Sequence, residues 1–200
     1  PRPQPASGLW LASPTLQSGY AESFGLVFIA WILLQVDRAR YLAALVPTAL
    51  LSITRPGALA VALMLALIFA HRWWHRRADP DFTTEVRWKL ALATVTSGLL
   101  GLLWSVIAWI ATGRIDAYIA TELAWRSGYT GKTHFEPFIS WVIGFNWLAP
   151  GPIGWILLAA LVGLVIWVVL LPQTEALGLT MRTWLAAYWA YLFVFFYPQS

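Results

Sequence analysis

One cation sits inside an apolar stretch of this chain. Arg55 falls in Thr54-Arg55-Pro56-Gly57, which breaks an apolar run from residue 41 to 70. A charged side chain in a spanning segment costs at least about 2.5–3.5 kcal/mol on insertion scales, so it is usually functional. Its planar guanidinium can hold a phosphate or carboxylate through two parallel hydrogen bonds. The structural alternative is an ion pair with Glu22, or snorkelling to the interface. Glu22 lies in Gly19-Tyr20-Ala21-Glu22-Ser23, at the head of an earlier apolar run. An acid there is favoured by the helix dipole; it can also orient a substrate hydroxyl or pair with Arg55. Tyr20 reads as an interfacial aromatic.

A long polar and aromatic segment, residues 112–152, supplies the other candidates. It holds Arg114, Asp116, Glu122, Trp125, Arg126 and His134. His134 suits a general base or a phosphate ligand. Trp125 beside Arg126 suits stacking on a sugar as well as membrane anchoring. Residues 115–125 read as a surface helix, and 138–148 as an aromatic stretch lying in the interface. His71 and His75, in the basic segment 71–87, read as contacts to lipid headgroups. There is no Cys in the sequence, which excludes disulfides, thiolate metal sites and a Cys nucleophile. No metal-ligand spacing, P-loop, GxGxxG or GxSxG motif is visible, so no metal and no cofactor is expected.

The elements that must position these groups follow from composition. Apolar residues make up 60% of the chain and charged residues 11%, with a mean hydropathy of +0.67. A water-soluble domain carries about a quarter charged residues, so this one could not cover its surface. The apolar runs are solid rather than alternating, which argues for helices over a membrane β-barrel. The expected fold is therefore all-α: a polytopic transmembrane bundle with about six apolar helices. Net charge is +4. Much of the basic charge sits in short loops, as membrane topology requires, so no nucleic-acid partner is expected.

The runs are 21–36, 41–53, 56–70, 88–111, 153–171 and 183–197. If 41–70 were one helix, the basic segments 37–40 and 71–87 would face opposite sides. Keeping Arg38, Arg40, Arg72, Arg76, Arg77 and Arg87 together on the cytoplasmic side favours a hairpin instead. Pro56 lacks an N–H and disfavours helix at Arg55, and Gly57 permits unusual dihedrals. Each arm would reach only about 20 Å, leaving the turn below the outer headgroups. This topology makes 1–20 an outer loop, 21–111 the first helices, 112–152 a second outer loop and 153–200 the last helices. The start of the first helix, the Thr54–Pro56 turn, the long loop and Tyr197-Pro198-Gln199-Ser200 then share the outer face. The opening Pro1-Arg2-Pro3-Gln4-Pro5 and the close at Ser200 read as the ends of a segment of one larger membrane domain.

The pattern Gly19-Tyr20-Ala21-Glu22-Ser23-Phe24, an apolar run, a short Arg loop and then Leu51-Ser52-Ile53-Thr54-Arg55-Pro56-Gly57-Ala58 resembles the GT-C superfamily of membrane glycosyltransferases. The likeness is to the PIG-V type mannosyltransferases and their bacterial relatives. Those begin a helix with a Tyr-Ser-Glu-Ser-type motif, where this chain has Ala21, and carry a Thr-Arg-Pro-x-Gly-type break further on. Thr112-Gly113-Arg114-Ile115-Asp116-Ala117-Tyr118 with Trp125-Arg126, and Tyr197-Pro198-Gln199-Ser200, are similar to later family segments. The resemblance implies transfer of a hexose, mannose by analogy, from a polyprenyl-phosphate sugar to a lipid-linked or protein acceptor. The site would face the outside of a bacterial plasma membrane, among membrane lipids. The resemblance also implies a carboxylate general base in a loop upstream of Pro1, leaving the catalytic residue unassigned here. Arg55 would bind the donor phosphate, with Thr54 and Tyr20 beside it. Glu22 would orient a hydroxyl or Arg55. Trp125, Arg126, His134 and Gln199 would be further substrate contacts.

Two other classes compete. A non-catalytic assembly subunit would keep the architecture with a degenerate site. A lipid or sugar-lipid transporter would line a path between both faces with polar groups. The runs 88–111 and 153–171 offer almost none, which counts against it.

Overall fold

The computed structural model describes residues 21–54, 57–130 and 136–195. All regular structure among them is helical. The first helix, α1 (Ala21–Asp37), is closed by Ala39 in the left-handed region at φ 54°. There Arg40 N–H donates to Gln35 O at 2.8 Å and Ala39 N–H to Val36 O at 2.9 Å, a cap that usually employs glycine. Next come α2 (Leu45–Thr54) and α3 (Ala58–Trp74). The helix break falls where the sequence puts Arg55 and Pro56, which themselves lie outside the described residues.

Residues 41–70 form a hairpin. Arg72 Nη1 donates to Tyr41 Oη at 3.2 Å, although the residues are thirty-one positions apart. A single helix of that length would hold them about 45 Å from each other. At the other end of the hairpin, a Cβ on Gly57 would meet the Leu51 side chain at 3.5 Å.

The fourth helix, α4 (Thr84–Gly101), returns beside α3. Thr83 caps it, its Oγ1 accepting from Val86 N–H at 3.4 Å. The run 88–111 is expected to be one uninterrupted span, but the structure breaks it. Helix α4 stops at Gly101, and α5 (Leu103–Thr112) leaves at 42° to it. The physical reason is close packing. A Cβ on Gly101 would lie 2.6 Å from Leu59 Cγ and 3.0 Å from the Leu59 amide, so α4 approaches α3 where only glycine fits. That run is also less apolar inside than its sequence suggests. Ser97 is fully buried with its hydroxyl unpartnered, and Gln35 Oε1 of α1 is buried likewise.

Then follow α6 (Ala117–Thr130), α7 (Ile139–Leu148), α8 (Pro152–Leu170), a 3-10 turn (Pro172–Leu177) and α9 (Gly178–Phe195). The core joins α1, the hairpin, α4 and α9 through Ile32, Leu51, Met64, Leu65, Leu90 and Ala187. Helix α9 lies along α3 in the opposite sense. Its Arg182 is near His71, whose imidazole pKa is lowered by burial and then by the charges of His75 and Arg182, against Asp79.

Most basic residues therefore gather at one end, in the 38–40 turn, the 71–87 segment and Arg182, while Arg114 lies beyond α5. The opposite end collects the start of α1, the hairpin tip, Gly101, α7 and the close of α9. Helix α8 joins them, with Val169 O accepting from Arg182 at 3.2 Å at the basic end. Its exposed face is apolar all round, from Ile153, Trp155 and Ile156 to Ile166, Trp167 and Leu170.

Among the described residues, α8 is the one helix long and apolar enough to cross a membrane unaided, with a mean hydropathy of 2.8. The bent pair α4–α5 makes a second if it acts as one span. The expected six are not all of spanning length. Helices α1, α2, α3 and α7 are apolar but fall within 10–17 residues, and α9 is diluted by Thr180, Arg182, Thr183, Tyr188 and Tyr191.

Candidate functional site

The hairpin tip is built from its own hydroxyls. Thr48 Oγ1 donates to Ala44 O and Ser52 Oγ to Thr48 O, each at 2.7 Å, so both buried polar groups are satisfied by backbone four residues back. Such back-bonding lets Ser and Thr sit in an apolar interior without a partner helix supplying acceptors. Thr54 is exposed, and its hydroxyl bonds back to Leu50 O and Leu51 O at 3.1 Å each. That engages the Thr54 proton but leaves its lone pairs for a ligand.

A cross-link holds the tip in place. Trp104 Nε1 of α5 donates to Ser52 O at 2.9 Å. The carbonyl is one of those left open at the end of a helix that stops after Thr54. The bend at Gly101–Leu102 turns α5 so that its indole reaches that carbonyl. Sequence reasoning gave Trp104 no role; an indole three residues beyond a glycine inside an apolar run was the available signal.

A second cross-link lies at the same end. Trp141 Nε1 of α7 donates to Leu192 O of α9 at 3.0 Å, and its ring meets Phe193 at 5.2 Å. Phe138 enters α7 from the left-handed region, at φ 65°, and stacks on Phe193 at 5.7 Å. A bulky residue rarely adopts that conformation, and the stacking holds it there. Residues 138–148 thus pack onto α9 as well as carrying exposed Trp147 and Leu148.

The charges on the approach to α6 are exposed. Arg114 and Asp116 form an ion pair at 2.8 Å, and its hydrogen bonds hold the Asp116 carboxyl below its usual range. Asp116 is thus a poor proton acceptor near neutral pH. The surface helix expected at 115–125 begins at Ala117 and extends to Thr130.

Of the expected site residues, Thr54 lies where the topology puts it, at the end opposite the basic cluster. Arg55, Tyr20, His134 and Gln199 fall outside the described residues. Glu22, Trp125 and Arg126 lie on described helices, but their side chains are outside that description. Thr54 and Gly57 flank Arg55 in the chain.

No family model, curated protein or solved structure matches this chain.

Proposed function

We propose that this chain is a membrane-embedded part of a glycosyltransferase that moves a hexose from a polyprenyl-phosphate donor to a lipid-linked or protein acceptor. The observation that carries the reading is the short hairpin. Its first arm is cross-linked by Trp104 at Ser52 O, at the end opposite the basic cluster, and the sequence Thr54-Arg55-Pro56-Gly57 joins the two arms. Arg55 at that tip would bind the donor phosphate and stabilise the leaving charge. Glu22, at the start of α1 on the same end, would orient a substrate hydroxyl or Arg55. Tyr20, Trp125, Arg126, His134 and Gln199 would complete the substrate contacts.

The reading requires a polytopic bundle, and exposed surface supports that. Val27, Leu34, Leu92, Val95, Leu99, Ile110 and most of α8 present large apolar side chains outward. In water such a surface would be an aggregation hazard; in lipid it is solvated. The short α2, about 15 Å long, would leave the tip within the membrane thickness, and α1 and α3, at 17 residues each, also fall short of a full span. The basic end would face the cytoplasm and the tip the extracytoplasmic side.

The test incubates the full-length protein in nanodiscs with radiolabelled polyprenyl-phosphate-mannose and membrane lipid extract. A new labelled lipid or peptide is expected, and its loss in folded Arg55→Ala. Wild-type turnover in that variant would remove Arg55 from the mechanism. Absence of both donor binding and transfer in the parent protein would overturn the enzyme reading.

A further inference from the structure

At the basic end two guanidiniums are mounted on one indole, and neither pairs with a carboxylate among the described residues. Arg76 and Arg87 both stand on Trp73, with guanidinium carbons 4.9 and 5.6 Å from the ring centre. Arg87 also lies 5.2 Å from the centre of the buried Phe82 ring. Each is tied to the backbone once: Arg76 Nη1 donates to Trp73 O at 3.0 Å, and Arg87 Nε to Phe82 O at 3.0 Å. Aromatic faces and carbonyls therefore fix both groups without removing their charge. A guanidinium has five N–H donors, so most remain unused on each side chain.

Two of the three acids in this segment are committed elsewhere. Asp79 takes two hydrogen bonds from Arg72, at 2.7 and 3.1 Å, and Glu85 pairs with Lys89. Asp81 is exposed and makes no ion pair among the described residues. Two pre-positioned forks converging on one indole suit a tetrahedral oxyanion, above all a phosphate. Two exposed indoles flank the pair, Trp74 of α3 at 84% and Trp88 of α4 at 73%. Both stand where the apolar helices give way to polar chain, the level at which interfacial aromatics and lipid phosphates meet.

We infer that Arg76 and Arg87, mounted on Trp73, form a binding site for the phosphate of an anionic phospholipid headgroup. The site is remote from the hairpin tip and independent of any sugar transfer there. Arg38, Arg40 and Arg77, exposed at the same end, add a field that favours anionic lipid but no fixed contact.

The test is thermal unfolding of the detergent-solubilised full chain, titrated with phosphatidylglycerol, phosphatidylcholine or inorganic phosphate. Phosphatidylglycerol is expected to stabilise the protein well above the other two. Losing one charged fork should weaken its apparent affinity about tenfold. Arg76→Gln, at an exposed position, and Arg87→Gln should each do so, while the paired change Arg38→Gln/Arg40→Gln should not. Equal stabilisation by phosphatidylcholine would overturn the site. Equal stabilisation by inorganic phosphate would make it a free-anion site and overturn the lipid assignment. An equal loss in the Arg38/Arg40 variant would reduce the effect to diffuse charge and also overturn it. Should Arg87→Gln unfold, Arg76→Gln alone decides, since Arg76 buries nothing that the fold requires.

Discussion

Replacing Asp79 by Asn should loosen the base of the hairpin by an amount the structure sets. Asp79 accepts Arg72 Nε at 2.7 Å and Nη2 at 3.1 Å, and the same guanidinium reaches Tyr41. The two side chains are 15% and 24% exposed. An exposed pair contributes about 0–1 kcal/mol and breaking a fully buried one costs about 3–5 kcal/mol. This pair lies between them, and the usual range for hydrogen bonds to charged groups brackets about 2 kcal/mol. In a chain of 200 residues that is a fall in Tm of about 4–8 °C. The assay is thermal unfolding in a fixed detergent, run as a cycle with Arg72→Gln. A coupling of about 2 kcal/mol is expected between the two sites. The pH dependence supplies a second reading. Hydrogen bonds from Arg72, opposed by partial burial, lower the Asp79 pKa in the folded protein. The stabilisation is therefore complete above the ordinary carboxylate value of about 4, and is lost as pH falls through the lowered folded value. Additive single variants, or a loss already complete at pH 6, would refute the reasoning.

Other outcomes follow from the same geometry. Cys placed at Thr54 and at Ala78, in a chain with no Cys of its own, should label from opposite sides of the membrane; labelling from one side would dismiss the proposed topology. Trp104→Phe removes the N–H that Ser52 O accepts and should cost about 1 kcal/mol in detergent unfolding, whereas Trp109→Phe on the same helix should cost less. Gly154→Ala would bring a methyl to 2.5 Å from Ala149 O and 2.7 Å from Phe145 O. Because both neighbours are backbone, the α7–α8 joint should open, seen as faster proteolysis between residues 148 and 152; unchanged cleavage would mean the joint yields without cost.

Much of the helical pattern is legible in composition because each apolar run is long. The hairpin was legible for a different reason: only a reversal at Thr54–Gly57 gathers Arg38, Arg40, Arg72 and Arg87 at one end, and the Arg72–Tyr41 bond confirms the reversal. The break at Gly101–Leu102 was not legible. It depends on Leu59 lying opposite Gly101, a contact between residues 42 positions apart that no local pattern encodes. Helix ends shifted for local reasons. Thr83 starts α4 before the apolar run begins, and α3 carries on through His71 and Arg72 because Arg72 is satisfied by Asp79 and Tyr41 rather than by water. Of the candidate site, the sequence singled out Thr54 and the end it occupies. It did not reveal the two indole bonds, from Trp104 and Trp141, because both end on backbone carbonyls, which leave no trace in residue identity.

Helix α8 buries only Gly154 and Leu158, one turn apart near its start, and beyond them presents apolar side chains in every direction. Most of its positions therefore carry a single requirement, to be oily, and no requirement of shape. Leu, Ile, Val and Phe should be interchangeable over much of its length, while Gly154 resists even one added carbon. Across a lineage such a helix would lose its sequence likeness long before the hairpin did. Kinship for this protein is thus better sought in spacing around the Thr54–Gly57 break than in overall identity, since the residues that fill most of α8 record the solvent rather than the ancestry.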